Sequence, residues 1–274
     1  MSEYKDLSQS KSYSAFIGSP RPSMKHSTYF EVYDYLFNNY RGLPITFVEV
    51  GVLGGGSLLM WRDFFGPQAR IIGVDLNPEA KELEDDGFEI FIGSQSDSEF
   101  WKTFTDAVGP VDILLDDGGH TYEQQIVTTE MMLQNIRDGG LLVVEDTHTS
   151  YQDGFGARRH SFINYVKRLM DLINFRHWSL KSSRKDHRVW SIEIFDSIVA
   201  FRINETATFR TSTPVDNGKK FSGAAFRYSS SVKLRASRVN SFASKIPGVK
   251  LIALGLRRAK INLSSRVKLW NYFK

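Results

Sequence analysis

The sequence predicts a doubly wound α/β fold: a mostly parallel seven-stranded sheet with helices on both faces, a C-terminal antiparallel hairpin and a basic C-terminal extension. Three observations predict it. Between residues 45 and 174, short β-rich apolar runs alternate with segments of helical period, the pattern of parallel strands joined by crossover helices. The first apolar run leads into a glycine-rich loop that opens a helix. Near the end, Val189 to Phe195 and Ile198 to Ile203 are separated only by the turn pair Asp196-Ser197, so the last strand returns antiparallel.

Taken in order, Tyr29, Phe30, Val32, Tyr33, Leu36 and Phe37 recur at helical spacing and predict a helix over Ser27 to Tyr40, ended by Gly42-Leu43-Pro44. Strands follow at Ile45 to Val50, Arg70 to Val74, Glu89 to Ile92, Val111 to Leu115 and Leu141 to Val144. Helices are expected between them at Ser57 to Phe65, Pro78 to Asp85, Ser98 to Val108 and Tyr122 to Asn135. A last long helix is expected over His160 to Asn174, where Phe162, Tyr165, Val166, Leu169, Met170 and Ile173 share one side. No internal repeat is present.

Of 274 residues, 41% are hydrophobic and 24% charged, which is ordinary globular composition and excludes collagen, coiled coil and wholesale disorder. The chain offers no apolar run of about 18 residues, and its N-terminal stretch is polar, so neither a membrane span nor a secretory signal is expected. The absence of cysteine removes disulfides, thiolate nucleophiles and zinc-thiolate sites, and fits a cytoplasmic setting. Charge is unevenly placed. Residues 1–205 hold 20 Lys and Arg against 30 Asp and Glu, whereas residues 206–274 hold 15 against 1. The charge balance changes where the sheet is expected to close. The chain is accordingly divided into an N-terminal helical lid segment (1–44), an α/β domain (45–205) and the basic extension (206–274). In the last, Val249 to Phe273 interleaves Ile252, Leu256, Ile261 and Leu263 with Arg257, Arg258 and Lys260, a basic amphipathic pattern suited to an anionic membrane surface.

The glycine loop reads Glu49-Val50-Gly51-Val52-Leu53-Gly54-Gly55-Gly56-Ser57. Glycines at a strand-to-helix turn admit close backbone approach, and the helix start offers free N–H groups, so Gly51, Gly55 and Ser57 are expected to face a nucleotide-like ligand. Leu53 breaks the G-x-G-x-x-G pattern and no Gly-Lys-Ser/Thr follows, which disfavours dinucleotides and triphosphates. Glu49 at the strand end would repel a pyrophosphate but accept the cationic sulfonium and ammonium of S-adenosylmethionine. Asp75, at the end of the second strand, is placed to take a ribose diol, and Ser94 and Gln95 after the third to meet an adenine edge.

Leu114 to His120 and Leu142 to His148 then end neighbouring strands in Asp116-Asp117-Gly118-Gly119-His120 and Glu145-Asp146-Thr147-His148. Four carboxylates converging at one sheet edge call for a divalent cation, and an all-oxygen set suits Mg²⁺. His120 is placed to act as general base toward a hydroxyl polarised by the cation. His148 and His160 are nearby candidates for substrate contact.

These blocks, together with Glu49-x-Gly51, Asp75 and Gly93-Ser94-Gln95, resemble the class I S-adenosylmethionine-dependent methyltransferases. The likeness is to the metal-dependent sugar O-methyltransferases of the macrocin and mycinamicin type, with the related cephalosporin hydroxylase-like proteins, over roughly residues 25 to 205. The resemblance implies a Rossmann-like domain in which Asp117, Glu145 and Asp146 bind Mg²⁺ and His120 is the base, with Asp117 also at the reacting centre. It further implies that Glu49, Gly51, Asp75, Gln95 and Asp116 line the S-adenosylmethionine pocket. Lys25-His26-Ser27-Thr28-Tyr29 is similar to a reduced N-terminal lid motif, giving Tyr29 as a substrate contact beside His148 and Tyr151. Gly119 stands where the family usually has serine, and Ser94 where an acid is common. A sugar-containing acceptor and a homo-oligomer are the partners implied.

Three other readings compete. An NAD(P)-dependent sugar oxidoreductase or epimerase shares the layers, but no tyrosine is followed four residues later by lysine. An iron oxygenase would need both His120 and His148 as ligands with a carboxylate. A non-enzymatic adaptor would act through the basic extension, which has no recognised nucleic-acid motif, so its expected partner is a membrane surface and the protein peripheral at the inner membrane.

Overall fold

The computed structural model describes residues 7–175, 177, 188–210, 212, 213, 215, 217 and 218. The chain divides into two compact units, Met1–Thr213 and Pro214–Lys274. The basic amphipathic pattern at Val249 to Phe273 lies outside the described residues. Among the described residues no helix is long and apolar enough to cross a membrane.

The first unit holds one seven-stranded sheet of order β3-β2-β1-β4-β5-β7-β6. The strands are β1 (Thr46–Val50), β2 (Arg70–Asp75), β3 (Glu89–Ile92), β4 (Val111–Asp116), β5 (Ile136–Val144), β6 (Val189–Ile194) and β7 (Val199–Ile203). Neighbours from β3 to β5 run parallel, and β7 alone is antiparallel to both β5 and β6, as the Asp196-Ser197 turn predicts. The helices are α1 (Lys11–Gly18), α2 (Tyr29–Phe37), α3 (Gly56–Phe65), α4 (Ser98–Val108), α5 (Tyr122–Met132), α6 (Phe162–Asn174) and the short α7 (Glu205–Phe209).

Strand pleating divides the apolar residues between two cores. Phe47, Ile71, Ile113, Leu115, Leu141 and Val143 meet α1, α2 and α3 on one face. Val48, Val50, Ile72, Val74, Leu114, Leu142 and Val144 meet α4, α5 and α6 on the other. Both faces are covered by helices, so the central strands read as continuous apolar runs.

Three elements differ from expectation. Helix α1 falls in the polar N-terminal stretch. Ser10 caps it, and Asp34 of α2 accepts from the N–H groups of Lys11 and Ser12 at 3.0 and 2.9 Å, a nonlocal support that no local pattern announces. Pro78–Asp86 winds as 3-10 turns instead of an α-helix, with Lys81 bonded to Glu84 three residues on. Strand β5 begins five residues before the predicted Leu141, with an irregularity in its pairing to β4 between Val111 and Ile113.

Candidate active site

Pairing brings the carboxyl ends of β1, β4 and β5 to one level, with Val50 opposite Asp116 and Asp116 opposite Val144. The ladder continues one residue past the strands: Asp117 N donates to Val50 O at 3.0 Å and Glu145 N to Asp116 O at 2.9 Å. Gly51, Asp117 and Glu145 therefore follow one another across the sheet top. A cavity of about 700 Å³ opens there, with Gly51, Asp75, Ser94, Gln95, Asp117, Gly118, His120, Glu145 and Asp146 in its wall and Tyr29 on its N-terminal side.

Glycine is required where the loops close on one another. Gly51 has φ +84°, and a Cβ there would meet Asp117 O at 2.3 Å. A Cβ on Gly118 would meet Gln95 Oε1 at 1.9 Å. Asp75 fastens the glycine loop, since its Oδ2 accepts from Val52 N and Leu53 N at 2.9 and 3.1 Å and its Oδ1 from Asn77 N at 2.9 Å. Oδ1, with one donor, keeps a second lone pair for a ligand hydroxyl. Gln95 lines the cavity with its amide engaged: Nε2 donates to Asp116 Oδ1 at 2.9 Å and Thr128 Oγ1 at 3.1 Å, and Oε1 accepts from Gly119 N at 2.8 Å.

The acids form two groups. In the outer one, Asp117, His120 and Asp146 each present a ligand atom within 4.8 Å of the others. His120 Nε2 lies 3.3 Å from Asp146 Oδ2 and 3.9 Å from Asp117 Oδ1. Tyr29 OH donates to Asp146 Oδ1 at 2.5 Å, and burial together with that bond pushes the phenol pKa up. Oxygen from two carboxylates suits a hard divalent cation such as Mg²⁺, which completes its shell with water and leaves the imidazole free.

The inner group is organised by a residue the sequence reading left without a role of its own. Lys25, with only 2% of its side chain exposed, places Nζ 2.5 Å from Asp117 Oδ2, 3.3 Å from Glu145 Oε2 and 3.4 Å from Glu49 Oε1. Burial opposes its charge, but the carboxylates of Glu145, Asp117 and Glu49 outweigh burial and hold the ammonium pKa well above its ordinary value. Burial likewise pushes the Glu49 and Glu145 carboxyls up, and Lys25 pulls both back. Tyr33 OH donates to Glu145 Oε1 at 2.5 Å from one turn beyond Tyr29. The lid block Lys25 to Tyr29 and the i, i+4 spacing of Tyr29 and Tyr33 were the available signals.

Several expected contacts lie off the cavity wall. Glu49 shares the pleat parity of Phe47 and turns into the α3 layer, where Ser57 Oγ donates to it at 2.7 Å and Trp61 Nε1 at 3.2 Å; Ser57 is thereby committed to Glu49. Gly55 ends the loop in a left-handed turn, close against Leu83. Asp116 is buried beneath Gln95, and burial pushes its carboxyl up to about 7 against the bonds from Gln95 and Gly118. His148 Nδ1 lies 2.5 Å from Ser197 Oγ with its ring 6.0 Å from that of His26, outside the wall. Tyr151 is 65% exposed and does not line the cavity.

Backbone strain is concentrated here. Among the described residues, the non-glycine positions with left-handed backbone are Leu53 (φ 45°), His120 (φ 58°), Asp146 (φ 53°) and Ser197 (φ 64°). The first three line the cavity, and Ser197 holds His148. Such clustering marks a site whose geometry the surrounding fold imposes.

The architecture is Rossmann-like, and residues 48–147 match the family model described as a methyltransferase domain. The chain is 34% identical over 161 residues to the 8-demethyl-8-(2-methoxy-alpha-L-rhamnosyl)-tetracenomycin-C 3'-O-methyltransferase of Streptomyces olivaceus, a match covering 54% of this chain and 41% of that protein. It is 32% identical over 163 residues to the mycinamicin VI 2''-O-methyltransferase of Micromonospora griseorubida, covering 55% of this chain and 40% of that protein. The solved structure of MycE, the methyltransferase of the mycinamycin biosynthetic pathway, in complex with Mg, SAH and mycinamycin VI, superposes with a TM-score of 0.67 at 25% identity. That superposition covers 82% of this chain and 58% of MycE. The chain is thus similar to mycinamicin-type sugar O-methyltransferases and spans about two fifths of the length of the curated relatives it matches.

Proposed function

We propose that this chain transfers a methyl group from S-adenosylmethionine to a sugar hydroxyl, assisted by a divalent cation. The observation that carries the reading is the convergence of Asp117, His120 and Asp146 in a cavity that Gly51, Leu53 and Asp75 also line. When bound, S-adenosylmethionine supplies an electrophilic methyl group, and the cation acidifies the hydroxyl it holds. Asp75 is the residue for a ribose diol, and Leu53 and Leu76, both largely exposed beside it, offer apolar surface for a purine. Asp117, Glu145 and Asp146, together in the cavity wall, would hold the cation. His120 Nε2 accepts the acceptor hydroxyl's proton, and Asp146 Oδ2 at 3.3 Å steadies the imidazolium that results. Tyr29 keeps Asp146 in place through the short bond to its other oxygen.

The test is calorimetric titration of the purified protein with S-adenosylhomocysteine and, separately, with NAD⁺, each with and without Mg²⁺. Micromolar binding of S-adenosylhomocysteine and silence toward NAD⁺ is the expected result. Silence toward S-adenosylhomocysteine in both conditions would remove the reading. The names of the relatives, on rhamnosyl-tetracenomycin and mycinamicin substrates, make a deoxysugar on a natural product the first acceptor class to try.

We also propose that the 15 basic residues of 206–274 hold this cytoplasmic enzyme at anionic membrane surfaces. In vesicle co-sedimentation the full chain should pellet with phosphatidylglycerol vesicles at low salt, and a chain ending at Thr213 should stay in the supernatant. Equal pelleting of both forms would remove the extension from the account.

A further inference from the structure

Lys25 occupies an unusual place for a lysine: its ammonium is buried among three carboxylates, two of which border the proposed cation site. Asp117 stands between the two groups. Its Oδ2 meets Lys25 Nζ at 2.5 Å, while its Oδ1 faces His120 Nε2 at 3.9 Å on the outer side. Glu145 has both oxygens engaged from within, Oε2 by Lys25 at 3.3 Å and Oε1 by Tyr33 at 2.5 Å. Lys25 is also fixed from both directions along the chain. Ser19 Oγ donates to Gly56 O at 2.8 Å and Arg21 pairs with Asp86 at 2.5 Å on one side, and Tyr29 is bonded to Asp146 on the other.

Resting on the metal-assisted reading above, we propose that Lys25 is a tethered cation that shares Asp117 and Glu145 with the divalent ion and loosens the ion's hold. Two cations leaning on the same carboxylates, at Asp117 on opposite oxygens, repel one another through a half-buried medium of low effective dielectric. Each therefore weakens the other's binding. Lys25 is a positioning residue: it neutralises Glu49 and Glu145 in the metal-free protein, and it sets how readily the ion at Asp117 exchanges.

The experiment is titration of the full chain with Mn²⁺ by calorimetry, together with thermal melting with and without Mn²⁺. Lys25→Met removes the charge and keeps the stem, and Lys25→Gln keeps a donor for the carboxylates if the methionine variant folds poorly. Both should bind Mn²⁺ at least tenfold more tightly than the wild type, while Lys25→Arg should stay within about threefold of it. The metal-free melting temperature of a neutral variant should fall, and saturating Mn²⁺ should restore most of the loss, a recovery that a purely structural lysine would not produce. Wild-type Mn²⁺ binding with equal or weaker affinity in both neutral variants would overturn this inference alone. No Mn²⁺ binding in the wild type or in either neutral variant would overturn the metal reading with it.

Discussion

Replacing Asp117 by asparagine is expected to lower methyl transfer about a thousandfold, equivalent to about 4 kcal/mol of transition-state stabilisation, while leaving S-adenosylhomocysteine binding within about threefold of the wild type. Asp117 belongs to both acid groups at once, with Oδ1 toward His120 and Oδ2 on Lys25. Asparagine keeps the volume and one acceptor oxygen but removes the negative charge that a divalent cation needs. Gly51, Leu53 and Asp75, the wall residues proposed to face the cofactor's nucleoside end, are not altered by the change. Calorimetry with Mn²⁺ and with S-adenosylhomocysteine, beside a radiolabelled methyl-transfer assay, separates the two effects. Turnover within tenfold of the wild type in the presence of a chelator would exclude a metal ion held at Asp117.

His120→Ala is expected to cost roughly 10²–10³-fold in kcat with little change in KM for S-adenosylmethionine, the range a positioned general base supplies. The imidazole lies 3.3 Å from Asp146 Oδ2 and 3.9 Å from Asp117 Oδ1, on the cavity side of both. Its removal leaves a space that a small base can enter. Added imidazole should therefore recover part of the lost rate in His120→Ala and none in Asp117→Asn. Failure of rescue together with lost Mn²⁺ affinity would reassign His120 from base to metal ligand.

Much of the fold was readable because the signals were local. Alternating apolar runs and the Asp196-Ser197 turn foretold the sheet, including the single antiparallel strand β7 between β5 and β6. The strand-end blocks Asp116 to His120 and Glu145 to Asp146 drew attention because neighbouring parallel strands bring their ends together. What escaped depends on distant partners or on pleat parity. Lys25 has no periodicity to betray it, and its role is written in carboxylates 92 and 120 positions further along the chain. Helix α1 likewise depends on Asp34 from another element. Glu49 was placed beside the ligand for being at a strand end, but its parity with Phe47 sends it into the α3 layer; counting in twos from the apolar face would have shown this.

The left-handed backbone at His120 and Asp146 has a consequence for anyone selecting sturdier versions of this protein. Each costs about 1 kcal/mol relative to a glycine at the same φ, so a screen that rewards survival of heating will favour glycine at these two positions. Such clones would melt later and lose at least about a hundredfold in methyl transfer, because the strained residues are the proposed base and a proposed cation ligand. Directed evolution of this scaffold therefore has to score product at every round: thermal tolerance alone selects toward an inert fold.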